Sequence, residues 1–227
     1  MTAEDYGARW GAHLRDDGSA LFRLWAPAVD RLRLKLGDGD EPEMRRHDDG
    51  WFTLELDGLA ENTPYLYVLP NGMIVPDPAA RAQASDVHGP SLLTSPRFAW
   101  TAGEWKGRPW EEAIVYELHP GTFSRQGGFD GVRQKLDYLA DVGFTAIELM
   151  PVAQFSGTRG WGYDGVLPYC PHSAYGGIDG LKRLVDAAHQ HGLMVFLDVV
   201  YNHFGPDGNY LSAYAPDFFD SERHTPW

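Results

Sequence analysis

Hydrophobic positions in the first third of the chain recur with period two. Phe22 and Leu24, then Leu32, Leu34 and Leu36, then Phe52, Leu54 and Leu56 alternate with mostly polar neighbours, and Tyr65 to Val68 is a further β-rich run. Successive side chains on a strand point to opposite faces, so this spacing predicts short strands with one buried face. Turn formers at Gly37-Asp38-Gly39, Asp48-Asp49-Gly50 and Asn71-Gly72 separate the runs. They predict tight connections and hence an antiparallel β-sandwich. From Pro76 to about Pro109 the chain is rich in Pro, Ala, Ser and Gly without a steady period, which predicts a wrapped connector. The domain boundary is placed within it, near residue 105. A sandwich with its connector is thus expected over 1–105 and a second unit over 106–227.

After Trp110 the spacing changes. Ile114 to His119 predicts a strand, and Asp130 opens a helix whose apolar residues Val132, Leu136 and Leu139 recur at helical spacing until Gly143 ends it. Phe144 to Met150 predicts the next strand, closed by Pro151. A second amphipathic helix carries Ile178, Leu181, Leu184, Val185 and Ala188, stops at Gly192, and feeds the segment LMVFLDVVYNH, Leu193 to His203. The apolar run in that segment reads as a parallel strand buried on both faces. The order β-α-β-α-β demands a parallel sheet with right-handed crossovers, whether the sheet is open or closed into a barrel.

In parallel sheets the ligand sits beyond the carboxyl ends of the strands. The loops after His119, Met150 and Val200 should therefore converge, and Asp198, Asn202 and His203 are either aimed at a substrate or part of an ordinary polar loop after a core strand. The connection from Pro151 to Gly177 is far longer than a usual βα loop, and it contains Arg159-Gly160-Trp161-Gly162-Tyr163-Asp164-Gly165. Glycines beside Trp161 and Tyr163 would let the backbone turn sharply and present both rings. Such rings suit sugar stacking, or else pin down their own loop.

Composition narrows the partners. A formal net charge of -13 and a pI near 5.0 would repel nucleic acid and anionic membranes, so neither partner is expected. No apolar run approaches the ~20 residues of a membrane-spanning helix. Cys170 is the only cysteine, which excludes an internal disulfide, and MTAEDYGARW lacks the basic and apolar blocks of a signal peptide. A cytoplasmic location is expected from these two features. His119, His172, His203 and Asp198 form no HxxxH or CxxC pattern, so no metal is expected. No G-x-G-x-x-G follows the first strand and no G-x-S-x-G elbow occurs, so neither a nucleotide cofactor nor a serine hydrolase is expected.

Together these residues resemble the α-amylase superfamily of glycoside hydrolases. DVVYNH at Asp198 to His203 is similar to that family's conserved region at the end of the third barrel strand, and GFTAIELMPV at Gly143 to Val152 to its second-strand region. WGYDG at Trp161 to Gly165 resembles the segment whose tyrosine stacks on the sugar at the cleavage subsite. The resemblance implies an α/β protein: an incomplete (β/α)8 barrel, its first three strands, preceded by an all-β sandwich of the kind found in branching and debranching enzymes. It implies that Tyr163 is the stacking ring, that His203 donates a hydrogen bond to the same sugar, and that Asp198 supports the geometry. Trp161, Asp164 and Asn202 would complete the substrate-binding set. Asn202 also matches a position that binds calcium in many amylases, but no second ligand is apparent and no metal is carried over.

Further phrases sharpen the resemblance. FRLWAP, VYELHPGTFS at Val115 to Ser124, HSAYGG at His172 to Gly177, FGPDGNYL at Phe204 to Leu211 and the closing ERHTPW are similar to those of the superfamily's trehalose-releasing hydrolases. The implied reaction is cleavage of the α-1,4 bond that joins trehalose to a maltooligosaccharide, a step of trehalose biosynthesis. Retaining hydrolysis needs two carboxyl groups about 5 Å apart. In the family the nucleophilic aspartate lies in a G-x-R-x-D phrase after the fourth strand and the acid glutamate follows the fifth; neither phrase occurs here. Both catalytic residues are therefore expected beyond Trp227. The 227 residues alone are expected to be inactive and to associate through exposed barrel edges. Two other readings fit the same residues, a branching or debranching relative and a non-catalytic α-glucan-binding fragment.

Overall fold

The computed structural model describes residues 10–37, 39–220 and 222–223. Asp38 of the first predicted turn, the start of the chain and most of the closing ERHTPW phrase lie outside the described residues. In chain order the first half forms β1 (His13–Leu14), β2 (Ser19–Trp25), β3 (Arg33–Leu36), β4 (Arg45–Arg46), β5 (Trp51–Asp57), β6 (Pro64–Val68), β7 (Ile74–Val75) and β8 (Ser91–Leu92). One antiparallel sheet has the order β1-β2-β5-β4, and the second pairs β3, β7 and β8 with β6. The predicted period-two runs lie in β2, β3, β5 and β6. The two-residue strands β1, β4, β7 and β8 are too short to show a period.

Register explains why the alternation works. β2 and β5 pair along their whole length, from Ser19↔Asp57 to Trp25↔Trp51, which sets Phe22 opposite Leu54 and Leu24 opposite Phe52. Phe22, Leu24 and Phe52 of one sheet and Leu34, Tyr65 and Tyr67 of the other meet in a single buried cluster. That cluster also takes in Leu211, Tyr214 and Ala215, more than a hundred residues further along the chain. The Ala28 amide donates to the Tyr214 carbonyl at 3.1 Å, joining this later segment to the sandwich backbone.

The connector is held from within. The buried Asp77 carboxylate accepts hydrogen bonds from the Tyr65 hydroxyl at 2.8 Å and the Ala79 amide at 2.8 Å, while its own amide donates to Ser91 Oγ at 3.0 Å. Burial pushes this carboxyl up to about 6, because the charged form loses its water.

In the second half β9 (Val115–Leu118), β10 (Ala146–Leu149) and β13 (Met194–Leu197) form a parallel sheet with β10 in the middle. Ala146 sits in register with both Val115 and Met194. Helices α1 (Gly128–Arg133), α2 (Leu136–Val142) and α3 (Gly177–Gln190) connect the strands. Phe129, Val132, Leu136, Leu139, Leu184 and Ala188 of these helices pack with Leu118, Ile147 and Leu149 of the sheet. No helix among the described residues is long and apolar enough to cross a membrane.

Three expectations need correction. The single helix expected from Asp130 to Gly143 begins at Gly128 and is broken after Arg133, where Lys135 takes φ -112° and ψ 5°. Periodicity is blind to the break because Val132, Leu136 and Leu139 stay buried on both sides of it. The last strand, expected to run through Val200 with both faces buried, ends at Leu197; Leu197 is 46% and Val199 50% exposed. The cause is its place at the edge of the sheet, where one side has no strand beside it among the described residues. The long loop is not structureless, since β11 (Ala153–Gln154) and β12 (Leu167–Pro171) pair within it as an antiparallel ribbon. Among the described residues the sheets are separate and none closes into a barrel.

Candidate functional site

The carboxyl ends of β9, β10 and β13 do bring three loops together. Beyond β9, His119 Nε2 lies 2.8 Å from the Gly160 carbonyl. A carbonyl only accepts, so the ring donates there through Nε2, and its Nδ1 is left to face the Thr122 hydroxyl at 3.2 Å. The Tyr175 hydroxyl donates to the same carbonyl at 3.2 Å. Two side chains from different loops thereby hold the backbone just before Trp161.

Beyond β13, His203 Nε2 lies 2.9 Å from the Tyr163 carbonyl. The Gly205 amide donates to the Gly165 carbonyl at 3.1 Å. Two glycines make this contact possible. A Cβ on Gly205 would lie 2.1 Å from the Asp164 carbonyl oxygen, and one on Gly162, which has φ +94°, would lie 2.1 Å from the Pro151 oxygen. Backbone approach this close excludes any side chain. The segment Gly160–Gly165 is therefore clamped between the end of β10, His119 and the tip of β13.

The clamp sets what the six predicted residues present. Tyr163 and Trp161 are 45% and 69% exposed, so both rings face solvent from a fixed backbone. The Trp161 ring sits 6.0 Å from that of His119. Asp164 and Asn202 are exposed, whereas Asp198 and His203 are half-buried. The Asp198 amide donates to the Leu149 carbonyl at 2.9 Å, extending the β10–β13 ladder past the strand. Asp198 shares a small hollow with Pro151, Gly162, Gly165 and Tyr201, about 120 Å³ in volume. Tyr163, Asp164 and His203 are joined most directly, Asp198 borders them, and Trp161 stands on the His119 side. The arrangement can stack a ring face and offer polar groups to a ligand. No cluster of three His, Cys, Asp or Glu suited to a metal occurs among the described residues.

The sequence reading missed the supports of the long loop. His172 is buried, its Nε2 lies 3.1 Å from the Gly157 carbonyl, and its Nδ1 accepts from the Ala174 amide at 3.0 Å. Phe155 packs on its ring at 3.9 Å, and burial holds its pKa below the ordinary histidine value. Tyr175 is buried against Phe129 and His119. The phrase HSAYGG, just before a helix, was the available signal. Cys170 is buried and its thiol is pushed up to about 12, so it is not a nucleophile.

Residues 77–220 match the sequence profile of the alpha amylase catalytic domain. The chain belongs to the alpha-amylase family. It is 46% identical over 218 residues to the malto-oligosyltrehalose trehalohydrolase of Saccharolobus solfataricus, covering 96% of this chain and 38% of that protein. The same-named protein of Deinococcus radiodurans is 42% identical over 229 residues, again with 38% of its length covered. In three dimensions the chain superposes with a TM-score of 0.93 on a Salmonella typhimurium protein named provisionally as an alpha amylase, at 53% identity, covering 96% of this chain and 37% of that one. The fold is thus of the amylase type, and the chain spans less than two fifths of the length of these relatives.

Proposed function

We propose that this chain is the N-terminal part of a glycoside hydrolase that releases trehalose from maltooligosyltrehalose by cleaving the α-1,4 bond next to the trehalose unit. The observation that carries the reading is the 46% identity, over 96% of the chain, to a malto-oligosyltrehalose trehalohydrolase. In this reading β9, β10 and β13 are the first three strands of a (β/α)8 barrel, the sandwich and connector span 1–105, and the protein works in the cytoplasm. Tyr163 stacks on the sugar to be cleaved and His203 donates to its hydroxyls. Asp198 lines the adjoining hollow and supports the geometry, and Trp161, Asp164 and Asn202 complete the substrate-binding set.

Hydrolysis with retention needs a nucleophilic carboxylate and a carboxylic acid about 5 Å away. Asp164 and Asp198 are assigned to binding, so the reading leaves both catalytic roles to residues of the longer protein. The test is to supply maltooligosyltrehalose and measure free trehalose, once with the 227 residues and once with a full-length protein carrying them. The longer protein should release trehalose and the shorter should not. New α-1,6 branches in place of trehalose, or trehalose from the 227 residues alone, would each refute the corresponding part.

A further inference from the structure

Over residues 83–91 the connector makes a turn that closes on itself. The Ala84 amide donates to the Pro90 carbonyl at 2.9 Å and the Gly89 amide to the Asp86 carbonyl at 3.3 Å. The buried Gln83 side chain fills the turn from inside. Its Nε2 donates to the Asp86 and Gly89 carbonyls at 3.1 and 2.7 Å, and its Oε1 accepts from the Ser91 hydroxyl at 3.1 Å. A buried amide satisfied by the backbone around it makes a turn rigid. The shape of this turn is therefore set largely by its own residues.

The turn presents Val87, which is fully buried. Val87 packs with Val166, Leu167 and Cys170 of the long loop, and Phe204 from the segment after β13 lies against the same cluster. Val166 directly follows Gly165, and Phe204 directly follows His203. These two apolar residues thus flank the contacts that join the loops of the candidate site, Gly205 amide to Gly165 carbonyl and His203 Nε2 to Tyr163 carbonyl. The fit leaves no slack. A Cβ on Gly208, which has φ +92°, would lie 2.4 Å from Val87 Cγ2 and 3.2 Å from Val166 Cγ2, so the segment after β13 passes Val87 as bare backbone. Polar contacts on either side of Val87 reach the same two loops. The Ser85 carbonyl lies 3.5 Å from Gln154 Nε2 and from Ser173 Oγ, and His88 Nε2 donates to the Asp207 carboxylate at 3.2 Å. The exposed His88–Asp207 pair contributes little by itself. The close-packed Val87 contact is the part that cannot shift without moving its neighbours.

We propose that the turn 83–91 is a positioning element of the candidate site, in which Val87 sets where Tyr163 and His203 stand by way of Val166 and Phe204. The proposal rests on the hydrolase reading given above and adds to it a residue that touches no substrate. Val87→Ala in a full-length protein carrying these residues tests it, beside Val132→Ala, which removes the same two methyl groups from the core between helices and parallel sheet. Both substitutions should lower the melting temperature. Only Val87→Ala should lower kcat for trehalose release, by roughly tenfold or more, since misplacing a group by about 1 Å costs up to about 10²-fold. Only Val87→Ala should speed hydrogen exchange at the Gly205 amide, again roughly tenfold, by loosening the contact between the loops. A Val87→Ala protein that keeps its kcat or its Gly205 protection overturns the proposal. So does a Val132→Ala protein that loses both to the same extent, because the effect is then one of stability and not of position. If the wild-type protein releases no trehalose, the hydrolase reading falls and exchange at Gly205 decides alone: faster exchange confined to Val87→Ala upholds the proposal, and equal exchange in the two variants overturns it.

Discussion

Asp77 shows how a single residue can be invisible to pattern and yet matter to stability. It lies in a stretch without hydrophobic period, VPDPAA, and only the fold surrounds its carboxylate with the Tyr65 and Tyr67 hydroxyls. Its folded pKa of about 6 exceeds the ordinary 3.8, so between these values the folded chain holds more protons than the unfolded one. Its contribution to stability is then greatest below about pH 4 and is lost as pH rises through about 6. The size is on the order of 3 kcal/mol for a fully buried group shifted by about two units. Thermal unfolding of Asp77→Asn beside wild type, from about pH 4 to 7, should show the wild-type advantage shrinking as pH rises. An advantage that stays constant or grows would contradict this assignment. The six candidate site residues were legible for a different reason. WGYDG and DVVYNH are unusual local phrases, whereas Asp77 is an ordinary residue made special by distant neighbours.

At the scale of elements, period and punctuation located the long strands and the α-helical stretches, but they read α1 and α2 as one helix and misjudged where the last strand ends. Apolar runs report only that a segment is able to be buried. Whether it is buried depends on what lies beside it, and β13 and β9 are the two edges of their sheet. Leu197 and Val199 on one side and Ile114 and Val115 on the other are 37% to 56% exposed. Unpaired strand edges carrying apolar side chains seek partners. Light scattering of the 227-residue chain should therefore show mass rising with concentration, and Leu197→Lys with Val199→Lys should suppress the rise. A wild-type chain that stays monomeric over the same range would remove the expectation. The broken helix α1–α2 is the complementary case, because Val132, Leu136 and Leu139 keep their burial across the break and the period cannot register it.

For the whole molecule, the segment after β13 is decisive. Leu211, Tyr214 and Ala215 fill the sandwich core, the Tyr210 hydroxyl lies 2.6 Å from His88 Nδ1, and Gly208 meets Val87 so closely that a Cβ would lie 2.4 Å from it. The late segment of the second half thus completes the sandwich core, while the parallel sheet and its helices keep a core of their own. Tyr214→Ala should cost about 3–5 kcal/mol, the range for emptying a buried aromatic site. Denaturant titration followed by a probe in the sandwich should detect that loss, although residue 214 is far from the sandwich in sequence; an unchanged midpoint would show that the segment only rests on the surface. The sequence alone determined the type and order of the longer strands and α-helices and the phrases by which the family is known, because these depend on local periodicity and on short runs of residues. Only the tertiary structure decided which apolar runs are edges and that a late segment completes an early core. Burial and register are set by residues far apart in the chain, and no local window contains both partners.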